Sequence, residues 1–382
     1  MRDIYHAIKQ DEDMMVDYLK EIIEKESPSL DKELVDQVAD WVARTFEQLT
    51  GGQSTVIENA LYGNHVRAEW GEGEEQILVL AHMDTVWPRD TIKKMPFTIQ
   101  DGIAYGPGVF DMKGGLIQGL FAVKALKDLG IKLQKKVVFL FDADEEIGNP
   151  SSKKMIEEEA KKSELVFVLE PGMSEKGSLK TTRKGLGVFH IEVTGKPSHA
   201  GMDPAKGVSA IEELAHQTLY LHSQSNLKTG TTFNVGKIEG GSASNVIAEK
   251  ARAEVDLRVE SEEEMNRALP LIRQLKPKLD GVKIQVEGGI NRPPLERTDQ
   301  VADLFATAKQ LADEYLGFEL TEMASGGASD GNYTAPHAPT LDGLGPVGDG
   351  AHANHEQVVL SQMPVRSALF AMLLAECGGK KS

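Results

Sequence analysis

Three short apolar runs limit what this chain can fold into: Ile77-Leu78-Val79-Leu80-Ala81, Val137-Val138-Phe139-Leu140-Phe141 and Leu165-Val166-Phe167-Val168-Leu169. Each has the length of a strand and no polar residue at alternate positions, so both of its faces must be covered. Helical spacing of apolar residues fills the gaps between them, near 114–129 and 151–162, and also precedes them at 11–25 and 30–49. Strands alternating with helices predict a doubly wound, largely parallel sheet in an α/β domain.

The pattern changes at Gly185. Strand-like stretches at 188–193, 231–238, 250–259 and 282–287 are interleaved with helical ones at 208–223 and 262–276. That order is the split-βαβ, ferredoxin-like plan of an inserted α+β domain. A helical pattern at 299–316, a strand at 339–342 and a helix at 363–377 then return to the first domain. The expected division is 1–184 with 296–382 as the catalytic metal-binding domain and 185–295 as the insert, with hinges near Gly185 and Arg292 to Arg297 that let a cleft close on substrate.

Charge narrows the function classes. The formal net charge is -17 over 382 residues, which opposes binding to nucleic acid phosphates and to anionic membranes. The single cysteine, Cys377, leaves no internal disulfide and no cysteine-rich metal site. Any metal must therefore be held by histidine and carboxylate. The N-terminal stretch lacks the basic and then apolar pattern of a signal peptide, so a cytoplasmic location is expected.

Ligands in doubly wound sheets gather beyond the carboxyl ends of the strands. Here those ends carry His82-Met83-Asp84, Asp144-Glu145-Glu146 and Glu170. Asp111 lies in a glycine-rich segment before a helix, where its carboxylate could bridge two ions. Neutral imidazole with carboxylates is the donor mix that suits zinc. A lone histidine is usually a surface or core group, but three adjacent carboxylates after a buried strand repel one another unless a cation neutralises them. Asp84, two residues from His82 in an extended segment, could accept from the other imidazole nitrogen and orient it. Near the C-terminus, spacing alone does not choose between His352 and His355. Arg258 and Arg292 fit a structural ion pair and a bound carboxylate equally well.

These motifs, with Gly106-Pro107-Gly108-Val109-Phe110-Asp111-Met112-Lys113-Gly114-Gly115, Asp144-Glu145-Glu146-Ile147-Gly148, Glu170-Pro171, Pro197-Ser198-His199-Ala200-Gly201 and His352 four residues before Glu356, resemble the cocatalytic zinc peptidases and amidohydrolases. That family includes glutamate carboxypeptidase, aminoacylase, acetylornithine deacetylase and succinyl-diaminopimelate desuccinylase. The resemblance implies two zinc ions per subunit, replaceable by cobalt or manganese. His82 and Glu170 would hold one ion and Glu146 and His352 the other, with Asp111 and an activated water shared between them. It makes Glu145 the general base and Asp84 the group that orients His82. His199 would be an oxyanion partner supplied by the second subunit of a homodimer formed through the insert. Asn245, Arg258 and Arg292 match the substrate-contacting set of the glutamate carboxypeptidase branch. The implied substrate is a small peptide or N-acyl amino acid with a free carboxylate, releasing a C-terminal residue such as glutamate. The alternatives are an N-acyl amino acid deacylase and a non-catalytic metal-stabilised binding protein.

Overall fold

The computed structural model describes residues 1–379. The chain forms two compact units, one of 1–181, 297–325 and the described residues from 329 onward, the other of 182–296 with 326–328. Among the described residues no helix is long and apolar enough to cross a membrane.

The first unit is built on a six-stranded sheet. Its spatial order is Gln53–Ile57, His65–Trp70, Lys136–Asp142, Gln76–His82, Ser163–Val168 and Thr340–Leu341. The last four strands run parallel, and the first two are added antiparallel at one edge. The apolar runs are fully covered because both faces bear helices. Ile77, Val79 and Ala81 join Val137, Phe139 and Phe141 in one core. Leu78 and Leu80 join Val138, Leu140, Ile156 and Tyr333 in the other. Period-two alternation sends successive residues of one strand into different cores. The antiparallel edge strands carry polar and charged residues (Gln53, Ser54, Arg67, Glu69), which hides them from a search for apolar runs. The helical pattern at 299–316 proves to be a helix over Asp299–Leu311 followed by a wider turn over Ala312–Leu316 that ends at Gly317.

Parallel register aligns the strand ends that matter. Leu80 is opposite Val168 and Leu140, and His82 is opposite Asp142. The pairing continues past the strands, with Met83 N donating to Asp142 O at 2.8 Å and Leu169 N to Leu80 O at 3.0 Å. A second, smaller sheet places the remaining loops. Gly348–Asp349 and Gln357–Val359 form a hairpin, and Gln357–Val359 pairs with Ile103–Tyr105. The hairpin tip, 350–356, thus lies beside the segment that follows Tyr105.

In the second unit the sheet order is Thr232–Gly240, Lys250–Val259, Gly185–Thr194 and Lys283–Arg292, with every neighbouring pair antiparallel. This is the split-βαβ arrangement. Phe189, Ile191 and Val193 pack inward with residues of the helices Ala210–Ser223 and Glu262–Arg273, among them Leu214, Leu221 and Ile272.

Close approach at one point holds the helix Gly114–Asp128 to the sheet edge. A Cβ on Gly115 would lie 2.0 Å from Leu169 O, and one on Gly345 would lie 2.1 Å from the same oxygen. Neither backbone can hold a side chain without moving the strand end that carries Glu170. We expect Gly115→Ala to lower stability by about 1–3 kcal/mol, the usual range for overpacking, in urea denaturation followed by circular dichroism. An unchanged midpoint would show that the helix can retreat freely.

Candidate metal centre

The parallel register delivers His82, the Glu145–Ile147 turn and Glu170 to one edge of the sheet, and the small sheet adds Asp111 and His352. The side chains then meet in pairs. Asp111 Oδ1 lies 3.2 Å from His82 Nε2, and Asp111 Oδ2 lies 3.3 Å from His352 Nε2. Each imidazole has a second carboxylate: Glu170 Oε1 is 3.6 Å from His82 Nε2, and Glu146 is 3.2 Å from His352 Nε2. Donor atoms of His82, Asp111 and Glu146 all lie within 4.8 Å of one another.

One ring nitrogen facing two carboxylate oxygens is poorly explained by hydrogen bonding, since a single N–H serves one acceptor well. It is well explained by a shared ion. A tetrahedral ion about 2.0–2.1 Å from nitrogen and oxygen keeps its ligand atoms roughly 3.3 Å apart, and the four separations fall close to that. With one oxygen toward each histidine, Asp111 has the disposition of a carboxylate bridging two ions. The residues present therefore fit a two-metal group chemically, with nitrogen and oxygen donors only.

The titration behaviour makes the same demand. Burial would lower the His82 imidazole, yet Asp111 and Asp84 hold it well above its ordinary value. Asp111 and Glu146 raise His352 to about 10. Burial pushes Glu146 up to about 8, while the two imidazoles keep Asp111 far below the usual carboxylate range despite its burial. Carboxylates packed around two imidazoles require positive charge between them, which protons or divalent cations satisfy.

The surroundings are specific. His82 Nδ1 lies 3.1 Å from the main-chain oxygen of Asp84 and 3.4 Å from its Oδ1, so the nearer acceptor is the backbone and the carboxylate is the longer contact. The Asp84 carboxylate is occupied elsewhere as well, accepting from Ser29 Oγ at 2.6 Å and from the backbone N–H groups of Glu145 and Glu146 at 3.3 and 3.2 Å. It thus ties His82 to the turn bearing Glu145 and Glu146. Asp144 departs from the expectation of three carboxylates needing a cation. It is turned into hydrogen bonds from Ser151 N at 2.7 Å, Ser151 Oγ at 2.6 Å and Ser152 Oγ, so hydroxyls satisfy it. Only Glu145 and Glu146 remain at the edge.

Of the two C-terminal histidines, His352 is the one brought to Asp111 and Glu146, from a left-handed backbone position with φ of 60°. His355 is exposed. Sequence reasoning missed Ser29, the cation Lys180, whose Nζ lies 3.6 Å from Glu170 Oε2, and the anchoring by Glu356. Ser29 and Lys180 sit in no pattern that would mark them, and the spacing of Glu356 from His352 marks its position without showing what it anchors.

The other candidates lie in the second unit. His199 Nδ1 accepts from Gly201 N and Met202 N, both at 3.1 Å, so Nε2 carries the ring hydrogen and is a donor. Its loop pairs with that of Asn245 through Ala200 N to Asn245 O at 2.9 Å. Arg258 Nε donates to Asp256, at 3.0 and 3.3 Å to the two oxygens, the ion-pair reading of that residue. Arg292 is buried at the end of the strand Lys283–Arg292, opposite Leu186.

Comparison with known proteins agrees with this architecture. The chain is 28% identical to carboxypeptidase G2 of Pseudomonas sp. (strain RS-16) over 384 aligned residues, covering 99% of this chain and 92% of that protein. The fold is similar to that of aminopeptidase PepT from Bacillus cereus, with a TM-score of 0.79 at 22% identity, covering 96% of this chain and 99% of the other. It is also similar to a dinuclear metal binding peptidase from Bacillus subtilis, with a TM-score of 0.72 at 16% identity and coverage of 97% and 99%. Residues 78–376 match the sequence profile of peptidase family M20/M25/M40, and the chain belongs to that family.

Proposed function

We propose that this hydrolase cleaves an amide bond in small peptides or N-acyl amino acids bearing a free carboxylate, and that it releases a C-terminal residue such as glutamate. The observation that carries the reading is the Asp111 carboxylate placed with one oxygen toward each of two histidines. In it, His82 and Glu170 would hold one zinc ion and His352 and Glu146 the other, with Asp111 available to both. Bound zinc supplies Lewis acidity toward the scissile carbonyl and toward a water molecule.

The remaining chemistry belongs to the chain. Glu145, next to Glu146 on the same short turn, takes the proton of the attacking water and returns it to the leaving amine as the C–N bond breaks. Asp84 fixes the turn and orients His82. His199, with its hydrogen on Nε2, is suited to donate to the developing oxyanion from a second subunit. Asn245, Arg292 and the Nη groups of Arg258 are assigned to the substrate carboxylate. Similarity to carboxypeptidase G2 over nearly the whole chain supports the carboxypeptidase direction.

Chelation with exhaustive dialysis should abolish release of free amino acids from a mixture of dipeptides and N-acyl amino acids, and added zinc should restore it. Glutamate is expected to dominate the products in end-point amino acid analysis. Hydrolysis undiminished without metal would overturn the two-ion reading, whereas a different dominant residue would revise only the specificity. Glu145→Gln should keep its metal content and lower kcat by roughly 10²–10⁴-fold, and a near-normal kcat would remove the general-base role. Sedimentation velocity should give a dimer, and a fully active monomer would rule out His199 from a second subunit.

A further inference from the structure

Glu356 is a fully buried carboxylate at the base of the hairpin that carries His352. Its two oxygens accept four N–H donors. Oε2 receives Gly108 N at 2.8 Å and Trp87 Nε1 at 2.7 Å. Oε1 receives Phe110 N at 2.9 Å and Asp111 N at 3.0 Å. Its main-chain oxygen adds a longer contact from Gly106 N at 3.4 Å. A carboxylate has about four acceptor positions, and here all are used.

The donors come from separate parts of the site. Trp87 follows the strand end that bears His82 by five residues. Gly108, Phe110 and Asp111 form the loop that presents the Asp111 carboxylate. Glu356 itself belongs to the loop of His352, whose Nε2 lies 3.3 Å from Asp111. One side chain therefore joins all three loops. Only an acceptor with two equivalent oxygens can do this. A glutamine at the same place would turn an NH₂ group toward two N–H donors, leaving those donors unsatisfied.

We infer that Glu356 is the positioning residue that sets the separation of Asp111 from His352, and through it the affinity of the site for its two divalent ions. It acts through Asp111 and touches neither ion nor substrate. The inference rests on the two-ion reading above.

The test uses cobalt(II) with the full-length protein. Metal-depleted wild type and Glu356→Gln are titrated with cobalt against a competing chelator, and the visible absorption of the loaded proteins is recorded. Removal of a group that orients a metal ligand commonly weakens binding by roughly 10–100-fold. That loss is expected for at least one of the two ions, with a changed cobalt spectrum, while the far-ultraviolet circular dichroism of the metal-depleted protein stays as in wild type. Glu356→Asp keeps the carboxylate on a shorter arm and should recover part of the affinity. Wild-type affinity and spectrum in Glu356→Gln would overturn the inference and leave the two-ion reading standing. Failure of wild type itself to bind cobalt would overturn that reading instead. If Glu356→Gln does not fold, Trp87→Phe removes one of the four donors. A weakened cobalt affinity in that variant supports the inference, and an unchanged one overturns it.

Discussion

Everything at this edge of the sheet turns on the crowding of carboxylates around two imidazoles. Asp111, Glu146 and Glu170 lie within 3.6 Å of histidine nitrogens, in a place where His82 is 2% exposed. Like charges held this close in a poorly solvated site raise the energy of the fold unless positive charge enters between them. The scaffold must therefore resist their separation. It does so with a parallel sheet whose strands are covered on both faces, and with hydrogen bonds that continue the ladder past the last strand residues.

The polar groups behind the ligands divide this task. Asp84 ties the strand end of His82 to the turn of Glu145 and Glu146. Glu356 ties the Asp111 loop to the hairpin of His352. Asp144 is held by Ser151 and Ser152, and Ser151 Oγ also meets His65 Nε2 at 2.9 Å. Asp84, Asp144 and Glu356 are each matched to a set of donors, so these three do not compete for a cation. Lys113 shows the same economy from the other side: its buried ammonium donates to the carbonyls of Ile22 and Lys25, and burial lowers it to about 7.

Much of the framework was legible because covered strands must be apolar throughout. The runs at 77–81, 137–141 and 165–169 announced the parallel sheet, and the residues that followed them announced the edge where chemistry collects. The antiparallel strands Gln53–Ile57 and His65–Trp70 were hidden by their mixed polarity, since an edge strand with one wet face alternates weakly. The small sheet was hidden for another reason: strands of two or three residues have too few positions to show a period. That sheet places His352, which explains why spacing alone could not separate it from His355. The contact that did not follow from pattern was the Asp84 carboxylate reaching the backbone of the next turn, which depends on side-chain geometry alone.

The two glycines that meet at the Leu169 carbonyl limit how the site can diversify. With Gly115 on one side and Gly345 on the other, even a methyl group would displace the backbone next to Glu170. Volume therefore cannot be added at this point without shifting the backbone that carries Glu170. Added volume is tolerated where the chain is exposed, as at 199–202 and 241–245. A fold built this way keeps the backbone beside Glu170 fixed in shape while its exposed loops are free to change in sequence.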